Sequence, residues 1–302
     1  MNWLVFALSG PVLWAISTHL DKFLVERYFK TTDVAVLLVF TALMGLVLMP
    51  VIAFFEPGVV QRDASSIALM TASGLLYMGA VFFYLQALQG HEASVVAPFF
   101  QASPLFGYAL GYLVLGETLN STQLLGGALI LIGILLVSIG SRTGREPFRW
   151  RLAAQMLICG FILSLSTLIF KAFAVRDEFW ATTFWMFAGE ALFGFFFLCI
   201  ARYRQQFIHL LRTNTVALIG INASNELINL GGGLGNRYAL MFAPLAIVQA
   251  IGSTTTLFVF VIGIVLTSLY PGLGRESLAA RQLIQKGLAA VLVAAGIALA
   301  AQ

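Results

Sequence analysis

Charge is what this sequence has least of. Only 10% of its 302 residues are Asp, Glu, Lys or Arg, whereas 60% are hydrophobic and the mean hydropathy is +0.94. A water-soluble domain of this length needs a more polar exterior, so the solvent for most of this surface is lipid. Cysteine is equally sparse. Cys159 and Cys199 each sit inside an apolar run, with neither disulfide nor metal-ligand spacing, which predicts two buried structural thiols. No acid/base, metal-ligand or nucleophile constellation stands out, so neither a catalytic residue nor a metal site is expected. Gly231-Gly232-Gly233 lacks the Lys-Ser/Thr of a phosphate loop, and no cofactor is expected either. The net charge of +4 comes from basic residues scattered between apolar runs, which points to membrane orientation and not to nucleic acid.

What the chain has in abundance is long apolar runs. A lipid-spanning helix needs roughly 20 mostly apolar residues. Runs of that kind fall at 3–25, 34–55, 67–88, 94–115, 123–140, 152–175, 179–201, 216–238, 241–269 and 283–301. The first has no basic stretch before it and no small-residue cleavage site after it, so it reads as a span and not a signal peptide. The expected fold is an all-α membrane protein of ten transmembrane helices.

The two halves, 1–141 and 147–302, echo each other. Ser17, Thr18 and Lys22 in the first span match Ser166, Thr167 and Lys171 in the sixth at identical spacing. Gln101-Ala102 matches Gln249-Ala250, and Gly133-Ile134 matches Gly296-Ile297, in the same order. Five spans per repeat force the halves into opposite orientations. Inverted repeats are a transporter signature, with the site expected near the midplane where the halves meet. Counted over the loops, 13 Lys and Arg fall on one side and 4 on the other. The basic side is cytoplasmic by the positive-inside rule, which puts both termini outside.

The stretch from Gly74 to Ser138 resembles the EamA-type branch of the drug/metabolite transporter superfamily. Its marks are Gln86-Ala87-Leu88, Pro104, Leu115-Gly116-Glu117, Gln123-Leu124, Gly126-Gly127 and Gly133-Ile134. The second half repeats the pattern less faithfully, with Tyr238-Ala239-Leu240, Tyr270-Pro271 and Gly296. The resemblance implies a small-molecule transporter of a bacterial inner (cytoplasmic) membrane, whose relatives export amino acids, amines, sugars or drugs. Many relatives are drawn with cytoplasmic termini, the reverse of the charge bias here.

Ionisable residues inside a membrane are costly and mark function by default. Asn222, Asn225, Glu226 and Asn229 follow helical i, i+3, i+4, i+7 spacing, so one face of the eighth span is polar and must point inward. Glu190, mid-span, either binds a cation or pairs with a basic residue elsewhere in the bundle. Lys22 and Lys171 lie near span ends, where a lysine can snorkel to the interface or, with Asp21, form an ion pair along the pathway. Trp14 shares a face with Asp21. Gln101 and Gln249, each beside prolines or hydroxyls, are expected to reach the cavity. Glu117 is expected to organise a tight helix connection.

These residues suit a secondary transporter of a small polar or amine-bearing metabolite, proton-coupled through Glu226 and Glu190. A flippase for a lipid-linked head group, contacting membrane lipid through a lateral groove, fits the same spans. A non-transport membrane component is the remaining reading. Oligomeric state is not written in the sequence.

Overall fold

The structure is a computed structural model that describes residues 2–27, 33–90, 103–140, 150–213, 215–269 and 280–302. Among the described residues every element is helical. Twelve α-helices run in order: α1 (Asn2–Arg27), α2 (Val34–Phe55), α3 (Ala64–Gly90), α4 (Ser103–Leu115), α5 (Ser121–Gly140) and α6 (Trp150–Phe173). They continue as α7 (Phe179–Cys199), α8 (Ala201–Thr213), α9 (Thr215–Ala239), α10 (Leu245–Gly252), α11 (Thr255–Leu269) and α12 (Ala280–Ala300). In hydrocarbon each backbone N–H and C=O must find a partner within its own segment, and the helix does that.

Six stretches are long and apolar enough to cross a membrane, and α4, α5 and α12 supply shorter apolar helices. The helix starts are written locally. Asp33 accepts from the Ala35 amide to cap α2, and Asn120 accepts from the Gln123 amide while Gln123 returns a bond to the Asn120 amide, a capping box for α5. Asp63 caps α3 from outside the membrane. The Ser65 hydroxyl and the Ser66 amide hold its carboxyl below the usual carboxylate range. A lowered native value means this cap is intact at neutral pH and is lost on acidification below that range.

Helices meet through glycine because lipid offers no hydrophobic drive for association, and close backbone approach supplies dispersion contact instead. A Cβ on Gly74 of α3 would strike the Met186 carbonyl of α7, and one on Gly189 would strike the Thr71 carbonyl in return. On α5 and α12, a Cβ on Gly126 would sit 2.6 Å from the Gly296 carbonyl, and one on Gly296 2.7 Å from the Gly126 carbonyl. The glycine run of α9 serves the same purpose. Gly232 meets the Gly10 carbonyl of α1, and Gly235 lies under Ser9. That run does not loosen the helix, since α9 continues unbroken through it.

The principal packing partners are α1 with α9 and α11, α3 with α6 and α7, α2 with α7, α4 with α6 and α10, and α5 with α12. The largest buried cluster surrounds α10, whose Leu245, Ile247, Val248 and Ile251 are fully enclosed.

Three features depart from the sequence reading. The run at 241–269 is two helices, not one. The Ser253, Thr254 and Thr255 hydroxyls donate to the Gln249, Ile251 and Gly252 carbonyls, competing with the helical ladder where it breaks. The arginine-rich segment after the seventh span is the amphipathic helix α8. Its Leu210 buries against Leu24, Val36 and Leu37, and Arg202 pairs with Asp33 at 3.5 Å. Of the two cysteines only Cys159 is buried, donating to the Ala80 carbonyl at 3.2 Å. Cys199 is exposed at the last turn of α7, where the helix turns its apolar surface outward.

Gly74→Val is expected to lower stability by about 1–3 kcal/mol, the range for overpacking a tight contact. Gly287→Ala, whose Cβ meets nothing within 4 Å, is expected to leave it unchanged or slightly raised. Unfolding midpoints in detergent compare the two, and equal effects would contradict the crossing described here.

Candidate functional site

The polar face of α9 lies inside the bundle. Asn222, Asn225 and Glu226 are 3%, 1% and 4% exposed, so successive turns of an otherwise apolar segment present hydrogen-bonding groups to protein and not to lipid. Glu226 and Asn225 find partners on other helices and on α9 itself. The Thr41 hydroxyl of α2 donates to Glu226 Oε1 at 2.6 Å, and Asn229, one turn on, hydrogen-bonds the same carboxylate. Asn225 Nδ2 donates to Asp21 Oδ1 of α1 at 2.6 Å. The charges of Asp21 and Glu190 both act on Glu226. Three helices thus converge on two carboxylates, and the side-chain carbonyl oxygens of Asn222 and Asn225 have no hydrogen-bond donor among the described residues.

Trp14 stands two turns before Asp21 and presses its indole edge on α9. A Cβ on Gly232 would lie 3.1 Å from Trp14 Nε1. The Asp21 carboxylate therefore faces α9 because α1 is locked against the glycine run further along.

Two other buried charges are already neutralised. Glu190 of α7 accepts from Arg237 of α9 at 2.7 Å, with both side chains almost wholly enclosed. The guanidinium also lies over the rings of Phe187, Phe170 and Tyr77, at 5.0, 5.8 and 5.8 Å. A weakly hydrated planar cation suits such a cage, where an ammonium would lose more hydration. Of the two roles the sequence left open for Glu190, the structure gives it the ion pair.

Lys171 does not snorkel. It is 6% exposed, pairs with Glu117 and donates to the Ala243 carbonyl at 2.5 Å. Glu117 also accepts from the Leu245 amide at 2.8 Å, placing negative charge at the N-terminus of α10. Its approach depends on two glycines. Gly116 has φ +68°, a conformation that favours glycine, and a Cβ on Gly111 would sit 2.7 Å from Glu117 Oε2. The tight connection expected of Glu117 is present, and it also joins the first half of the chain to the second.

Gln249 lies on α10 over Gly107, sharing hydrogen bonds of 3.3–3.4 Å with Ser164, which donates on to the Ser103 carbonyl at 2.9 Å. Gln101 and the side chain of Lys22 lie outside the described residues. Thr41 and Arg237 were missed by sequence reasoning. Arg237 follows Glu226 by eleven residues, three helical turns, so the polar stripe itself was the signal that could have found it. Thr41, one hydroxyl in an apolar span, offers no such signal. Among the described residues no group of three or more His, Cys, Asp or Glu side chains is placed to hold a metal ion.

This architecture is that of an all-helical, multi-pass integral membrane protein with polar groups turned inward. Residues 1–139 match the EamA-like transporter family, which belongs to the drug/metabolite transporter superfamily. An uncharacterized protein of Methanocaldococcus jannaschii is 27% identical over 139 residues, which is 46% of this chain and 97% of that one. A protein of known crystal structure shares the fold with a TM-score of 0.69 and 14% identity, over 99% of this chain and 96% of that one.

Breaking one buried pair strands a charge. Glu190→Leu alone is expected to cost about 3–5 kcal/mol, and adding Arg237→Met to recover most of that loss. Denaturant unfolding in micelles tests this. A double variant no more stable than the single would show that the pair is not what Arg237 requires.

Proposed function

We propose that the protein is a secondary transporter of a small polar or amine-bearing metabolite. In this reading it works by alternating access between two inverted five-span repeats, 1–141 and 147–302, in a bacterial inner membrane. The observation that carries the reading is the Asp21–Glu226 centre. The buried carboxylate of Glu226 and the half-buried one of Asp21 are held by Thr41, Asn225 and Asn229, while the other buried charges among the described residues, Glu190 and Lys171, have partners of opposite sign. A carboxylate in this setting gains from any positive charge delivered to it, because a bound cation or proton relieves its desolvation cost. The substrate's ammonium group or a coupling proton serves that purpose. Asn229, Trp14 and Gln249 are the groups we assign to the rest of a polar substrate.

Support for the repeats comes from reciprocal packing. Helix α1 packs on α9 and on α10–α11, and its counterpart α6 packs on α3 and α4. Counterparts α2 and α7 pack on each other, as do α5 and α12. A two-fold relation between the halves would generate this pairing. The bias of Lys and Arg toward one side supports termini on the outer face.

Export or exchange measured in proteoliposomes with and without a pH gradient tests the reading. Glu226 is faced by Thr41 of α2, Asp21 of α1 and Glu190 of α7. Glu226→Gln is expected to cut transport by at least about tenfold, the scale of losing one charge-assisted contact, and to flatten its pH profile. A Glu226→Gln variant with wild-type rate and pH profile would remove Glu226 from the mechanism.

A further inference from the structure

Among the described residues, besides the Lys171–Glu117 pair, two enclosed settings for a cation differ in kind. One is the aromatic cage of Tyr77, Phe170 and Phe187, which suits a diffuse cation and is filled by Arg237. The other is the Asp21–Glu226 centre, where the groups that reach the carboxylates, Thr41, Asn225 and Asn229, are hydrogen-bonding ones. Two carboxylates offer roughly four acceptor positions each, and these three side chains fill only a few of them.

Asn225 decides the polarity of the remainder. It is 1% exposed, and its amide nitrogen must face Asp21, since the opposite flip would set oxygen against oxygen. Its carbonyl oxygen is then fixed beside the Asp21 carboxylate, buried and without a donor among the described residues. Asn222, one turn earlier on the same face and 3% exposed, carries a second such oxygen. A buried acceptor without a donor is costly, and two of them on the face that carries Glu226 call for a ligand that brings N–H groups.

We infer that the Asp21–Asn222–Asn225–Glu226 centre binds a primary ammonium group, and that the transported class is small primary amines, as opposed to quaternary ammonium compounds. An R–NH3+ group carries three donors and one positive charge, which matches a site of surplus acceptors and two negative charges. A tetraalkylammonium brings charge without donors and leaves both asparagine oxygens unsatisfied. A divalent metal would require a denser ligand set than these residues provide.

This inference rests on the transporter reading for its physiological meaning, but its test needs no transport. The full-length protein in detergent is heated with methylammonium, tetramethylammonium or sodium chloride, each at constant ionic strength against potassium chloride. Methylammonium is expected to raise the unfolding midpoint in a saturable way, and tetramethylammonium and sodium to leave it unchanged. Asn225→Ala and, separately, Asn222→Ala are expected to weaken the apparent methylammonium affinity about tenfold or more while both carboxylates remain. An equal response to tetramethylammonium, a response to sodium instead, or no response to methylammonium would each overturn the inference, as would unaltered affinity in both variants. Methylammonium binding without transport of any amine in proteoliposomes would leave this site standing and defeat the transport reading. Transport without methylammonium binding would do the reverse.

Discussion

Everything in this bundle is subordinate to the cost of leaving charge unneutralised where there is no water. Among the described residues the protein meets that cost twice with internal ion pairs that join distant parts of the chain. Glu117 and Lys171 close the loop after α4 onto α6 and the start of α10, and Glu190 and Arg237 tie α7 to the end of α9. Pairs of this kind contribute little net stability compared with apolar replacements, because desolvation consumes most of the attraction. What they provide is uniqueness of arrangement, since any other packing strands a charge. Against that background the Asp21–Glu226 centre is the exception, and its chemistry differs from its surroundings for that reason.

Glycine performs the complementary task. Where charges specify which helices meet, glycines specify how near they come. Gly74 with Gly189, Gly126 with Gly296, and Gly10 with Gly232 each let carbonyls approach closer than any side chain permits. The α1–α9 contact matters most for the site, because it fixes the height of Trp14 and hence of Asp21 relative to Asn225. Motion of α1 along this smooth glycine surface would change the separation of the two carboxylates, linking occupancy of the centre to helix position.

Much of this was legible in the sequence, and the limits have physical causes. The polar stripe of α9 was readable because helical periodicity is local, and the inward direction of Asn222, Asn225 and Glu226 follows from lipid alone. The matched Ser-Thr-Lys patterns of α1 and α6 were readable for the same reason. Partnership was not. Glu190 and Arg237 stand 47 residues apart, and although the stripe of Glu226 extends to Arg237, nothing local shows which carboxylate it pairs with or that it lies over three rings. Lys171 near a helix end looked free to reach water until the return of Glu117 through Gly116 enclosed it. The break after Gly252 was missed because hydroxyl side chains that compete with a helix are also tolerated inside one. Helix α8 was missed because its arginines outweigh the few apolar residues that dock it.

The composition of α9 has a consequence for biogenesis. Ionised residues at the centre of a segment disfavour its partitioning from the translocon into lipid by about 2.5–3.5 kcal/mol each, and α9 carries Glu226 together with three asparagines on one face. Released alone, this segment is a poor candidate for membrane entry. Its glycine-lined side already matches α1, and its polar side matches Thr41 and Asp21, all of which are synthesised more than 170 residues earlier. Insertion of α9 is therefore an act of assembly, in which the completed first half serves as the receptor for a helix that lipid by itself would refuse.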